Sequence, residues 1–143
     1  MRLSVTTPRG AVVETDVEEL TAPGQLGELG ILAGHVPLMT ALKPGVLTYK
    51  ARDQVGTLAV GEGFLQVAPT VVGGTSTDRI LVLVDRALAA SAVDRVAAES
   101  ELKSAEAELA AWKQELDGTY HALVVRRDWA LARLNAAARL TPS

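Results

Sequence analysis

The composition of the chain changes at Ala87, and this change limits the folds that the sequence can adopt. Before it, short segments rich in Val, Leu and Thr are separated by Gly, Pro and Asp, which is typical of β-strands joined by turns. After it, the sequence is rich in alanine and glutamate, which favour helix. We predict strands at residues 3–7, 11–22, 46–50, 57–60, 64–67 and 80–84, followed by helices.

The predicted strands carry the pattern of a β-domain with one buried layer between sheets. Leu58 and Val60, and again Leu65 and Val67, alternate along the chain, which indicates strands with one buried face. Several short strands with regular turns indicate a sandwich or a barrel. Residues 69–79 are predicted to form a solvated hairpin loop. Its Gly-Gly pair is not a phosphate-binding loop, because no Lys-Ser/Thr follows it.

Two helices are predicted in residues 88–143. Ser91 and Asp94 resemble a capping box and predict the start of the first helix. Asp117-Gly118 is a turn signal, and an apolar stripe on each side of it predicts an antiparallel αα-hairpin. The first stripe is Ala98, Leu102, Ala105, Leu109, Trp112 and Leu116; the second is Tyr120, Leu123, Val124, Leu131, Leu134 and Ala138. The predicted class is therefore α+β.

The second helix carries another apolar row, displaced from the first. A helix that is buried on one side needs one stripe only. Two rows therefore predict that this helix contacts the first helix and a further surface, either the β-domain of the same chain or another subunit. The second row is Ala122, Val125, Trp129, Ala132 and Ala136.

The charges are unevenly distributed. Residues 94–117 carry three basic and seven acidic side chains, whereas residues 118–143 carry four basic and one acidic. This suits two helices that lie antiparallel, and it equally suits a final helix that seeks an acidic partner elsewhere. The overall net charge of −3 argues against general nucleic-acid binding. With no cysteine, the chain has neither disulfides nor thiolate metal sites.

The run from Gly27 to Pro37 combines three glycines, Glu28, His35 and a proline within eleven residues. Glycine and proline fix unusual backbone shapes, so we predict a structured loop between strands. Glu28 and His35 either satisfy backbone groups of this loop, or form a contact surface or an acid/base pair. His35 and His121 are the only histidines, neither has a metal-binding spacing, and no nucleophile motif accompanies them. We therefore expect no catalytic site and no metal site.

This run, continued by Leu42-Lys43-Pro44-Gly45-Val46-Leu47 and by Gly61-Glu62-Gly63-Phe64-Leu65-Gln66-Val67, resembles the epsilon subunit of bacterial F-type ATP synthase. Ala33 stands where many relatives have proline. The resemblance implies a two-sheet β-sandwich in residues 1–87, docked on the gamma subunit and the ring of c subunits, and a regulatory helical hairpin in residues 88–143. The residues implied in the contact loop are Gly27, Glu28, Gly30, Gly34, His35 and Pro37.

The resemblance also implies a function without catalysis. The subunit would couple rotation of the c-ring to the catalytic head as part of the central stalk, and it would inhibit ATP hydrolysis when its second helix extends into the alpha/beta head. The residues implied in that inhibitory helix are Arg126, Arg127, Arg133 and Arg139. The resemblance further implies a location on the cytoplasmic face of the bacterial inner membrane. No apolar run reaches the length of a membrane span, so we expect a peripheral position there, held through partners. A stand-alone β-sandwich binding module with a dimerising hairpin is the alternative.

Some members of this family bind ATP through a motif at the start of the first helix. The matching stretch here is Val93-Asp94-Arg95-Val96-Ala97-Ala98, in which Asp94 matches and Ala97 stands in the place of an arginine. Trp129 stands where a further nucleotide-contacting arginine is found. Because a methyl group cannot replace the charge and forked hydrogen bonds of a guanidinium, we expect weak or no ATP binding and no cofactor.

Overall fold

The computed structural model describes residues 1–34 and 37–140 of the chain. Within them the chain forms ten β-strands, a single 3₁₀ turn at Ala90–Ala92 and two α-helices. The strands are β1 Arg2–Thr7, β2 Gly10–Asp16, β3 Glu19–Gly24, β4 Gly27–Leu32, β5 Leu38–Leu42, β6 Gly45–Ala51, β7 Gln54–Val60, β8 Gly63–Val72, β9 Thr75–Val84 and β10 Ala87–Ala89. The helices are α1 Arg95–Ala110 and α2 Gly118–Ala138.

The strands form a nearly closed β-sandwich with the order β10-β7-β6-β3-β5-β8-β9-β1-β2, to which β4 adds beside β3. Strand β3 connects the two layers, because it pairs with β6 through three residues and with β5 through Gly24↔Leu42 alone. Most neighbours are antiparallel, but β1 and β9 are parallel. The predicted two-sheet sandwich followed by a helical hairpin is confirmed.

The core of the sandwich consists of aliphatic side chains that alternate along the strands. Leu65 and Val67, for example, are 0% and 2% exposed, whereas Phe64 before them and Gln66 between them are exposed. All buried members of this core lie between Leu3 and Val84. The β-domain therefore has a hydrophobic core of its own, to which neither helix contributes a buried side chain.

Helix α2 lies on the outer face of the layer formed by β6, β7 and β10. Val46, Ala59 and Leu88 are directly opposite one another on these three strands and form a row across them. A second buried cluster joins Ala59 and Ala90 to Trp129, Ala132 and Ala136 of α2, with Val46 and Leu88 packed against it. Three members of the predicted second row thus contact the β-domain of the same chain, one of the two predicted partners. Of the other two, Ala122 is exposed and Val125 is half-buried.

Helix α1 packs mainly on α2, through alanines. Ala98 and Ala105 are fully buried, whereas Leu102 and Leu109 are half-buried. The predicted stripe ends earlier than expected, because α1 ends at Ala110. Trp112 lies in the following turn, where its Nε1 donates to the Glu115 carbonyl at 3.2 Å and its ring meets Tyr120 edge-on. Leu116 is 75% exposed.

Two predicted boundaries were wrong. The predicted strand 11–22 is interrupted between β2 and β3, because the Val17 amide donates to Met1 while the Glu18 amide donates to Lys50, so the chain passes from one layer to the other. The predicted capping role of Ser91 belongs to Asp94, whose side chain accepts the Ala97 amide at the start of α1.

The prediction of a loop at residues 69–79 was also wrong, because most of this segment is β-strand. Most of it is exposed, as expected. The ladder between β8 and β9 continues out to Val72↔Thr75, and only Gly73 and Gly74 form the turn. Both glycines have positive φ, +59° and +82°, which matches the tight turns of two-residue hairpins. The segment is therefore an extended hairpin rather than an irregular loop.

We predict that a fragment of residues 1–90 folds without the helices, because the core lies entirely within it. Thermal unfolding followed by circular dichroism should show a cooperative transition. The transition should come at a lower temperature than in the full chain, because the Val46–Ala59–Leu88 row loses its cover. A fragment that shows no cooperative unfolding would contradict the existence of an independent β-domain.

Candidate functional site

The glycine-rich run that the sequence singles out is mostly strand and only partly loop. Residues Gly27–Leu32 form β4, which pairs with β3 from Glu19↔Leu32 to Gly24↔Gly27. Gly27 has φ +136°, a backbone conformation that favours glycine, and it follows the turn between β3 and β4. Among the described residues after β4, Ala33 and Gly34 form a turn, so the prediction of one continuous loop is wrong for Gly27–Leu32.

The outward face of β4 carries Glu28, Gly30 and Leu32, while Ile31 points into the core. A Cβ on Gly30 would meet nothing within 4 Å, and its φ is not positive, so the fold does not require a glycine there. Among the described residues β4 pairs with β3 only. This strand therefore presents a carboxylate, bare backbone and an exposed leucine along a free sheet edge, a combination suited to contact with a partner.

The loop after β4 is held by the extended β8–β9 hairpin. The Gly34 amide, at φ +81°, donates to the Asp78 carboxylate at 2.8 Å. Asp78 lies on β9, opposite Pro69 on β8. The sequence does not predict this role of Asp78, because the residue falls in the predicted solvated loop and nothing near it signals a partner 44 residues away.

The Glu28–His35 pair considered in the sequence stays a prediction, because one of its two members lies outside the described residues. His35 and Val36 lie outside them, so His35 is not placed. Glu28 is exposed in β4, about 13 Å along the strand from Leu32 at its end. Glu28 also lines a cleft with Lys43 and with Arg139, which lies at the C-terminal end of α2.

An uncovered apolar row crosses the layer opposite the one that α2 covers. Ala41, Phe64 and Leu83 are directly opposite one another on β5, β8 and β9. Phe64 is 53% exposed, Leu83 is 47% exposed, and Met39 on the same face is 68% exposed. Gly63 beside this row leaves no room for a side chain, because a Cβ would come 1.8 Å from the Leu83 carbonyl oxygen. Contiguous exposed apolar side chains mark interaction surfaces.

The arginines of α2 contact partners in the closed hairpin. Arg126 lies 3.5 Å from Glu108 of α1, and Arg133 donates to Glu101 of α1. Arg127 pairs instead with Asp128, its neighbour in α2. Arg139 is exposed at the C-terminal end of α2. Of the four arginines, two therefore balance the acidic first helix, as one of the two charge interpretations expected.

The positions implied in nucleotide binding have structural roles here. Asp94 is the N-cap of α1, and Arg95 donates from Nη2 to the Ala137 carbonyl of α2 at 2.9 Å. Trp129 is buried against the sandwich. Within residues 1–34 and 37–140, no group of His, Cys, Asp and Glu could hold a metal ion. In the same residues no helix is both long and apolar enough to span a membrane.

Comparison with known proteins assigns the fold to a family. The family model for the β-sandwich domain of the ATP synthase delta/epsilon chain matches residues 1–90. ATP synthase epsilon chain 2 of Syntrophotalea carbinolica is 36% identical over 142 residues, covering 97% of this chain and 94% of the relative. The epsilon chain of Geobacter metallireducens is 35% identical over 141 residues, covering 99% and 96%.

Solved structures share the fold at lower sequence identity. A chain in the Euglena gracilis mitochondrial ATP synthase structure containing OSCP, F1 and the c-ring has a TM-score of 0.63 at 21% identity, covering 96% of this chain and 77% of that one. A chain in the Tetrahymena thermophila central stalk and c-ring structure has a TM-score of 0.58 at 16% identity, covering 96% of both.

A β-sandwich followed by a helical hairpin, matched at this identity over nearly its whole length, defines the class. The chain belongs to the ATP synthase epsilon chain family. The resemblance read from the sequence is therefore confirmed.

We predict that Asp78→Ala loosens the loop after β4, because the Gly34 amide loses its charged acceptor. Amide hydrogen exchange measured by NMR should show Gly34 exchanging roughly five- to tenfold faster, equivalent to about 1 kcal/mol. Asp53→Ala removes an exposed carboxylate from the turn between β6 and β7 and is the matched control. Equal exchange of Gly34 in all three proteins would show that Asp78 does not hold the loop.

We predict that the full chain binds ATP weakly or not at all, because Asp94 caps a helix and Ala97 offers no guanidinium. Isothermal titration calorimetry with ATP and magnesium ions should show no saturable heat in the micromolar range. A micromolar dissociation constant would contradict this prediction. Arg95→Ala and Arg126→Ala would then identify which guanidinium replaces the missing one.

Proposed function

We propose that this chain is a rotor subunit in the central stalk of a bacterial F-type ATP synthase, where it couples rotation of the c-ring to the catalytic head. The observation that carries the proposal is the match to ATP synthase epsilon chains over nearly the whole chain. A closed sandwich with its own aliphatic core suits this task, because a subunit that transmits torque must not deform under load.

The gamma subunit is the partner that we assign to the uncovered row Ala41–Phe64–Leu83. The two outer faces of the sandwich support this assignment: α2 covers the corresponding row on one layer, while the row on the other layer remains exposed. A flat apolar face at the middle of a sheet provides area for a permanent contact between subunits.

The c-ring is the partner that we assign to β4 and the loop after it. Glu28, Gly30 and Leu32 supply its outward face, and Gly34 supplies the loop held by Asp78. His35 and Pro37 complete the contact segment in the sequence. A carboxylate beside bare backbone offers hydrogen-bond acceptors and donors to the polar loops of a ring, so the contact is expected to be polar.

Replacing both Phe64 and Leu83 by Ser should weaken binding to the gamma subunit at least about tenfold, because two large apolar side chains leave the proposed interface. Surface plasmon resonance with immobilised gamma measures the effect. The control is Val55→Ser, which changes an equally apolar side chain, 69% exposed, on β7 in the other layer. Undiminished affinity of the double variant would place the gamma contact elsewhere.

The helical hairpin is the regulatory part of this proposal. In the closed form α2 rests on the sandwich; in an extended form it would enter the alpha/beta head and inhibit ATP hydrolysis. Arg126 and Arg133 pair with α1, which supports a role in holding the closed form. The assembled complex would sit on the cytoplasmic face of the bacterial inner membrane, where this subunit is held through its partners.

Replacing Arg126 and Arg133 by Ala should lower the ATPase activity of the assembled enzyme, because loss of two ion pairs to α1 favours the extended form. An exposed pair such as Arg126–Glu108 contributes up to about 1 kcal/mol, so its loss alone lowers the ratio of closed to extended forms about fivefold. Loss of the Arg133–Glu101 pair, whose arginine is buried, lowers the ratio further. Arg127→Ala, which removes a pair within α2 only, is the control.

Whether the ATPase activity of the double variant falls or rises shows which form of the hairpin these arginines stabilise. Higher activity in the double variant would mean that these arginines act in the extended form, against acidic segments of the head. Unchanged activity, with the subunit shown to be bound, would mean that this helix does not regulate hydrolysis in this protein.

A further inference from the structure

Trp129 lies where three parts of the chain meet. It is 7% exposed and belongs to the buried cluster that joins α2 to Ala59 and Ala90. The guanidinium carbon of Arg86, in the turn between β9 and β10, lies 4.9 Å from the centroid of its indole ring. A cation this close to an aromatic ring is attracted by the ring's negative face, and more strongly when water is excluded.

A second guanidinium approaches the same ring from within α2. The guanidinium carbon of Arg133 lies 5.5 Å from the ring centroid, and its Nε donates to the Trp129 carbonyl at 3.4 Å. Its Nη2 donates to Glu101 of α1. The Arg133 side chain is 11% exposed, so water solvates its charge poorly. Pairing with Glu101 therefore stabilises this charge more than it would stabilise a charge at the surface.

We infer that Arg86, Trp129, Arg133 and Glu101 form a clasp that couples two interfaces: closure of α1 on α2, and docking of α2 on the sandwich. Two cations near one ring repel each other. Asp85, 3.8 Å from Nε of Arg86, and Glu101, paired with Arg133, both reduce this repulsion. Without Glu101, the unbalanced charge of Arg133 opposes the contact between Arg86 and Trp129, although Glu101 belongs to α1 and Arg86 to the sandwich.

The coupling also acts in the opposite direction. Arg86 holds the indole ring in place, and the ring and carbonyl of Trp129 direct Arg133 towards Glu101. Removing Arg86 therefore weakens the hairpin as well as the docking. Groups in one network have interaction energies that do not add, so loss of one contact in the cluster weakens both interfaces. This inference concerns the folded chain itself and does not rest on the proposed function.

The chain contains no cysteine, so single introduced thiols can report each interface separately. Leu88→Cys places a thiol in the row that α2 covers, and Ala105→Cys places one on the fully buried face of α1. The rate of labelling by a thiol reagent in the isolated full chain follows the population of open molecules when opening is fast compared with labelling.

Arg86→Ala and Glu101→Gln are introduced separately into each of these two reporter chains. If the clasp couples the interfaces, each variant raises the labelling rate at both positions, about five- to tenfold. Arg79→Ala on β9 and Glu99→Gln on α1 remove an exposed charge of the same sign and should change neither rate. Circular dichroism confirms that every variant keeps its sheet and helix content.

Labelling that rises only at Leu88→Cys for Arg86→Ala, and only at Ala105→Cys for Glu101→Gln, would overturn the coupling, because each interface would then open independently. Unchanged labelling at both positions would show that the cluster stabilises neither interface. Because the labelling rates are measured in the isolated chain, without the gamma subunit, they test the coupling independently of the proposed function in the stalk.

Discussion

The arrangement of the molecule depends on how closely α2 approaches the β6-β7-β10 face. Ala132 and Ala136 meet the Val46–Ala59–Leu88 row with small side chains, and Trp129 is the large side chain that α2 places in this buried cluster. This approach brings the ring within reach of Arg86 and sets the end of α2 beside the cleft that Glu28 lines. Helix α1, which packs mainly on α2, takes its position from this contact.

The two outer faces of the sandwich therefore differ in what they can do. One is occupied by the chain's own helix through alanines and a tryptophan, a contact of limited area that is reinforced by charges. The other carries exposed Phe64 and Leu83 with nothing from the described chain upon them. A face that closes on its own helix can open again, whereas a bare apolar face suits a lasting partner.

Part of the candidate site could be predicted from local sequence, and part could not. The run from Gly27 to Pro37 was recognised as shaped backbone, and Gly27 and Gly34 do have positive φ. The sequence does not predict that the first part of this run is strand β4, because glycines interrupt the alternation of apolar and polar residues that identifies a strand. Asp78 was missed because its role comes from a hydrogen bond to a residue far away in the chain.

The sequence by itself determined the separation into a β-domain and a helical hairpin, and the presence of two apolar rows on the second helix. Both follow from periodicity, which is a property of neighbouring residues. The tertiary structure alone decided that α2 docks on its own sandwich, that Arg133 meets Glu101, and that Arg86 meets Trp129. These contacts join residues far apart in sequence, and a local pattern that admits two partners cannot choose between them. The choice is made by the packing of the whole chain, where the partner that buries more apolar surface at less cost in desolvated charge prevails.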